Sequence, residues 1–166
     1  MTDPFQPLSF PSGARMKNRF ALAPLTNTQS HEDGRLSDDE YRWLTMRAAG
    51  GFGLTMTCAS HVQTTGQGFP GQLGCYADGQ LEGLTRLAAG IRTHDSLAVV
   101  QLHHAGMRSP AELIGGQPVC PSADEETGAR ALTTAEVEQL AEDFMAAAER
   151  AQAAGFDGVE LHSAHC

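Results

Sequence analysis

Apolar positions along the chain fall into short continuous runs, separated by longer stretches where they recur every three or four residues. The runs are Phe20-Ala21-Leu22-Ala23-Pro24-Leu25, Phe52-Gly53-Leu54-Thr55-Met56-Thr57-Cys58-Ala59, Leu97-Ala98-Val99-Val100-Gln101-Leu102-His103 and Phe156-Asp157-Gly158-Val159-Glu160-Leu161-His162. Their length and bounding turn residues predict buried strands. Three helical patterns lie between them. Ser37 with Glu40 three residues on reads as a capping box, and Tyr41, Leu44 and Ala48 follow at helical spacing up to Gly50-Gly51. Leu81, Leu84, Leu87, Ala88 and Ile91 mark the second helix. Thr133 and Glu136 form another capping box, opening a helix with Val137, Leu140, Phe144 and Ala148 on one face and ending at Gly155. Ahead of the first strand, Leu8 to Lys17 reads as a hairpin turning at Pro11-Ser12-Gly13, and a long loop runs from Ala105 to about Arg130.

The order is therefore a hairpin, then β-α-β-α-β-α-β, which implies right-handed crossovers and a parallel sheet with helices outside it. An open doubly wound sheet of the nucleotide-binding type shows a G-x-G-x-x-G turn after its first strand. Here that strand runs into Pro24-Leu25-Thr26-Asn27-Thr28. The polar residues gather instead just beyond strand C-terminal ends, where barrel active sites are built. The expected fold class is α/β, the first half of a (β/α)8 TIM barrel with four strands and three helices. Residues 1–166 are expected to form one partial-barrel domain, with residues 1–18 as a hairpin cap.

Charge narrows the partners. Twenty acidic against 11 basic side chains give a formal net charge of -9 over 166 residues. That balance argues against nucleic acid or an anionic membrane, which need clustered Lys and Arg. No apolar run approaches the roughly 20 residues of a spanning helix. Met1-Thr2-Asp3-Pro4 shows no signal-peptide pattern, and the four cysteines, at 58, 75, 120 and 166, form no C-x-x-C pair. The expectation is a cytoplasmic protein with reduced thiols.

Four polar sets stand at strand ends: Thr26, Ala59-Ser60-His61, Gln101-Leu102-His103-His104 and His162-Ser163-Ala164-His165. Strand alternation puts Glu160 and His162 on one face, and Gln101 and His103 on the face of Val99. If Val159 and Leu161 pack against the helices, His162 points into the barrel. An imidazole or amide there can hold a carbonyl oxygen or the edge of a heterocycle. Residue types alone leave three readings open. These are satisfied structural histidines, hydrogen bonding to substrate or cofactor, and a metal held by His162, His165 and the His103-His104 pair. The H-x-x-H spacing on a strand lacks the helical geometry of H-E-x-x-H. Thr26 alone is as readily a turn or cap residue.

Three segments carry a resemblance. Met16-Lys17-Asn18-Arg19-Phe20-Ala21-Leu22-Ala23-Pro24-Leu25-Thr26, Val100-Gln101-Leu102-His103-His104-Ala105-Gly106 and Ala153 to His165 resemble, in order and spacing, the Old Yellow Enzyme family of flavin-dependent ene-reductases. The resemblance implies flavin mononucleotide (FMN) as cofactor and NADPH or NADH as reductant. The implied substrate is a small α,β-unsaturated carbonyl compound whose activated C=C bond receives hydride. It implies that Ala23, Pro24, Leu25 and Thr26 cradle the flavin ring, the Thr26 hydroxyl meeting flavin O4. Ala59 would contribute a backbone contact and Gln101 an amide to the pyrimidine edge. His162 and His165 match the pair that grips the substrate oxygen; no metal is implied. The chain departs from the family in three places. Cys166 stands where the family has Gly-Tyr, Met107 displaces Arg108 by one position, and Asn27-Thr28 replaces an aromatic of some members.

Length sharpens this. A (β/α)8 barrel takes about 250 residues and often builds its phosphate site from the last two strand loops. The expectation is a chain that carries half of the barrel and part of the flavin site, inactive by itself, with the phosphate contacts beyond Cys166. The alternative expectation is a non-catalytic half-barrel that forms a homo-oligomer or pairs with a separate C-terminal half.

Overall fold

The computed structural model describes residues 3–164. Strands β1 (Leu8–Ser9) and β2 (Arg15–Met16) pair antiparallel as the expected hairpin. Its turn passes through Gly13 at φ 90°, a conformation costly for any residue with a Cβ. Strand β3 is only Ala21–Leu22. The expected six-residue run is cut short because Pro24 has no N–H to give a ladder. Helix α1 (Asp38–Ala49), strand β4 (Leu54–His61), helix α2 (Leu81–Arg92) and strand β5 (Leu97–His103) follow. The long loop is not bare. It holds a one-turn helix α3 (Ala111–Ile114) and two short strands, β6 (Val119–Cys120) and β7 (Arg130–Ala131), that pair parallel. Helix α4 (Thr134–Ala153) and strand β8 (Gly158–Leu161) complete the order.

The main sheet runs β3-β4-β5-β8, all parallel and in chain order. One core joins Leu44 and Ala48 of α1, Leu84, Leu87 and Ile91 of α2, and Ala147 and Ala151 of α4 to Val100 and Leu102 of the sheet. Burying each leucine or isoleucine there contributes about 1.5–3 kcal/mol. Helices on one face over sequentially ordered strands make a barrel segment, since a doubly wound sheet reverses its order and carries helices on both faces. Val137, expected on the packed face of α4, is 50% exposed. The rest of the expected face, Leu140, Phe144 and Ala148, is partly buried against the core, which Ala147 and Ala151 enter fully.

The two capping boxes behave differently. At α4 the box closes: Glu136 N–H donates to Thr133 Oγ1 at 3.3 Å and Thr133 N–H donates to Glu136 Oε2 at 2.8 Å. Arg130 grips the same carboxylate with both guanidinium nitrogens and, with the Thr133 donors, pulls its pKa down to about 2. Thr133→Ala is expected to cost about 1 kcal/mol, read as a lower urea midpoint at unchanged slope. At α1 only half of the expected box forms. Glu40 N–H donates to Ser37 Oγ at 3.1 Å, but the Glu40 carboxylate turns into the core.

Strand β4 contains a one-residue bulge, because Met56 pairs with Val99 but Ala59 with Gln101. Within it the Thr57 hydroxyl accepts from Gln101 N–H at 3.2 Å, standing in for a ladder carbonyl. The extra residue reverses the strand's alternation, so Ala59 faces the same side as Met56. Strand β8 extends the ladder with Val100 opposite Val159, Gln101 opposite Glu160 and Leu102 opposite Leu161. Val159 and Leu161 thus share the helix-facing side, yet remain 41% and 58% exposed among the described residues. No described helix is long and apolar enough to cross a membrane.

Candidate active site

A cleft of about 450 Å³ opens at the C-terminal ends of the four parallel strands. Pro24 and Thr26 enter it from the segment after β3, Ala59 from β4, Gln101 and His103 from β5, and His162 and Ala164 from beyond β8. The alternation expected for β5 and β8 holds: Gln101 lies level with Glu160, and the His103 and His162 rings sit 5.2 Å apart. Ala59 reaches the cleft only through the β4 bulge. Ala23 and Leu25 are exposed and do not line it; Leu25 is turned out past the short β3. His165 lies outside the described residues. His61, grouped by sequence with Ala59, is buried away from the cleft against Tyr76, with ring centroids 4.8 Å apart.

Sequence reasoning missed the loop that closes the near side. Gly68 and Phe69 line the cleft, and Gln72 braces it. Gln72 is fully buried; its amide nitrogen donates to Ala59 O at 2.8 Å and to His103 Nδ1 at 3.2 Å, and its oxygen accepts from Gly68 N–H at 2.7 Å. The only sequence signal was a glycine-rich stretch, and nothing in that stretch singles out one glutamine.

His104 lines the cleft as well, but both its nitrogens are engaged. Nδ1 accepts from Gly106 N–H at 3.0 Å, and Nε2 donates to Gln63 Oε1 at 3.2 Å. Gln63 in turn donates to the Asp143 carboxylate. Burial pushes the His104 pKa down, with a further lowering from His61 and an opposing pull from Asp143. His61 Nδ1 donates to Gln63 O at 2.8 Å while its Nε2 is buried without a partner among the described residues, and burial lowers its pKa too. Both rings are built to stay neutral. Among the described residues no three His, Cys, Asp or Glu side chains converge on a point that could hold a metal ion.

The cleft's volume is that of a small-molecule site. Apolar surface from Pro24, Ala59, Gly68 and Phe69 is edged by the Thr26 hydroxyl, the Gln101 amide and the imidazoles of His103, His104 and His162. That wall suits a planar heterocycle with polar edges, so the residues fit the ring of a flavin. They do not equally fit its phosphate, since Arg108 is the one Lys or Arg among the lining residues.

Parallel strands under outer helices, with a polar cleft at their C-terminal ends, define the class: part of a (β/α)8 barrel. Residues 3–166 match the NADH:flavin oxidoreductase / NADH oxidase family. The chain is 41% identical over 165 residues to a probable NADH-dependent flavin oxidoreductase of Bacillus subtilis, covering 97% of this chain and 44% of that protein. It is 37% identical over 166 residues to an NADH:fumarate oxidoreductase of Klebsiella pneumoniae, covering 96% of this chain and 18% of the relative. The old yellow enzyme homologue of Zymomonas mobilis superposes with a TM-score of 0.88 at 30% identity, over 96% of this chain and 48% of that one. The chain belongs to the NADH:flavin oxidoreductase family, the Old Yellow Enzyme family, and spans less than half the length of each of these relatives.

Proposed function

We propose that the chain is the N-terminal part of an FMN-dependent ene-reductase that passes hydride from NAD(P)H to the activated C=C bond of an α,β-unsaturated carbonyl compound. The observation that carries this reading is the convergence of Pro24, Thr26, Ala59, Gln101 and His162 on one cleft. Bound FMN would supply the hydride relay between nicotinamide and substrate. Thr26 and Gln101 would hold the polar edges of the ring through hydroxyl and amide, and Ala59 through its backbone, with Ala23, Pro24 and Leu25 forming the adjoining chain. His162, with His165, would donate to the substrate's carbonyl oxygen. A donor held in place there draws electron density from the conjugated alkene and favours hydride arrival at its β-carbon. The fumarate named for one relative is such a conjugated alkene.

Residues 1–166 would form one part of the barrel domain, with 1–18 as its hairpin cap, in a cytoplasmic protein whose buried thiols Cys58, Cys75 and Cys120 are free. Two features support a complementary barrel half. Val159 and Leu161 are exposed on a helix-facing side, and Glu160 Oε2 is buried with no hydrogen-bond partner among the described residues. An unsatisfied buried acceptor costs about 1–3 kcal/mol, which a donor from that half would recover.

Flavin titration tests the reading. The 166-residue chain is expected to bind FMN and riboflavin within about threefold of each other, because a phosphate gains little from Arg108 alone. Gln101→Ala should weaken both by about tenfold. Failure to quench either flavin at millimolar protein would count against the flavin reading of this cleft. A strong preference for FMN would instead locate the phosphate contacts within these 166 residues.

A further inference from the structure

Glu40 is fully buried, and among the described residues it forms no ion pair with Lys or Arg. A carboxylate taken out of water without a cation is unfavourable unless donors fill its oxygens. Three do. Asn27 Nδ2 donates to Oε1 at 3.1 Å, Cys58 Sγ donates to the same oxygen at 3.1 Å, and Ser30 Oγ donates to Oε2. Burial first, and then the neighbouring carboxylate, push the Cys58 thiol pKa well up, which keeps it protonated and a donor.

The positions of these donors are the informative part. Asn27 directly follows Thr26, and Cys58 directly precedes Ala59; Thr26 and Ala59 both line the cleft. The β4 bulge sets Cys58 toward Glu40 while Ala59 faces the opposite way. One carboxylate behind the sheet therefore ties the segment after β3 to strand β4, each at the residue next to a cleft residue. The segment needs such a tie. Thr28 sits at φ 52°, a left-handed conformation unfavourable for a branched side chain, and Gln29 Oε1 is buried without a partner among the described residues.

We propose that Glu40 is a positioning residue: by gripping Asn27, Ser30 and Cys58 its carboxylate sets the spacing of Thr26 and Ala59 across the cleft. The tie itself is independent of any cofactor; its consequence for binding rests on the flavin reading above. Were Glu40 only a helix-capping or stabilising group, its loss would lower stability and leave the cleft unchanged.

The test is Glu40→Gln in the 166-residue chain, followed by amide hydrogen exchange and FMN titration. Glutamine keeps the shape but offers one acceptor oxygen in place of two. The Ser30 amide, which donates to Gly71 O at 2.9 Å, should exchange about tenfold faster or more, while amides of α2 and β5 keep their protection. FMN affinity should fall by about tenfold. Asn27→Ala removes one donor from the loop side, leaves α1 intact, and should shift both readings the same way; it carries the test if Glu40→Gln does not fold. Unchanged Ser30 exchange in a folded variant overturns the proposal. So does a loosened loop with unaltered FMN affinity, because the cleft would then not depend on the tie. A loosened loop in a protein whose wild type binds no flavin supports the tie and overturns the flavin reading instead.

Discussion

Gly71→Ala is expected to destabilise the protein by about 3 kcal/mol, combining roughly 1–2 for the left-handed backbone with roughly 1–3 for overpacking. Gly71 has φ 66°, and a Cβ added there would stand 2.6 Å from Thr28 O and 2.8 Å from Thr28 C. Those atoms are backbone and cannot rotate aside. They belong to the segment that leads from Thr26 toward Glu40, and Ser30 N–H bonds to Gly71 O across the same gap. The strain should therefore appear both as a lower urea midpoint and as weaker flavin binding. Gly115→Ala is the matched control, since Gly115 has the same φ of 66° with nothing within 4 Å of the added atom. It should lose only the backbone contribution, about 1–2 kcal/mol. Equal losses in the two variants would show that the Thr28 contact relaxes at no cost, contrary to this account.

Acidification from pH 7.5 to 5.5 is expected to lower stability through His61 and His104. Burial depresses both pKa values below the reference of 6.5. As pH falls below 6.5 the unfolded chain therefore takes up protons that the folded chain refuses. The stabilisation they confer is complete above that value and is lost as pH falls toward their folded-state pKa values. The limiting slope is about 1.4 kcal/mol per pH unit for each ring. The carboxylates with depressed pKa values, Asp3, Asp38, Asp124 and Glu136, have reference values of 3.8 to 4.5 and act at lower pH. Urea midpoints measured across this range should fall with pH in the wild type, less in His104→Gln, and least when His61 is replaced as well. A flat wild-type profile would mean that both rings protonate in place, against the engagement seen for His104 and the burial of His61.

How much of this was legible in the sequence differs from element to element. The β5 run from Leu97 to His103 and the helix opened by Thr133 and Glu136 stand where periodicity and capping chemistry put them. Local signals suffice there because a short, largely apolar run and a reciprocal cap each depend on residues within a few positions of one another. The β-α alternation similarly carried the parallel sheet, and parity put Glu160 with His162 on one strand and Gln101 with His103 on another; the register that sets Gln101 opposite Glu160 brings them to one face. The motif resemblance supplied the family, which residues 3–166 match.

Other features needed the fold. Ser37-Asp38-Asp39-Glu40 and Thr133-Thr134-Ala135-Glu136 carry the same cap pattern, yet only the second closes. Glu136 stands beside solvent and Arg130, whereas Glu40 meets three donors brought to it by the β3–α1 segment and by β4. Strict alternation from Met56 would have turned Ala59 toward the helices, and a single bulged residue reversed it. Gln72 became a brace between Ala59 and His103 only because the glycine-rich loop folds back over the sheet. Periodicity, caps and motifs, which act between near neighbours, thus determined from the sequence alone an acidic β-α chain with a flavin-oxidoreductase pattern. Which way a carboxylate, a bulged strand and a buried amide face depends on partners 10 to 44 residues away, and only packing in three dimensions decides that.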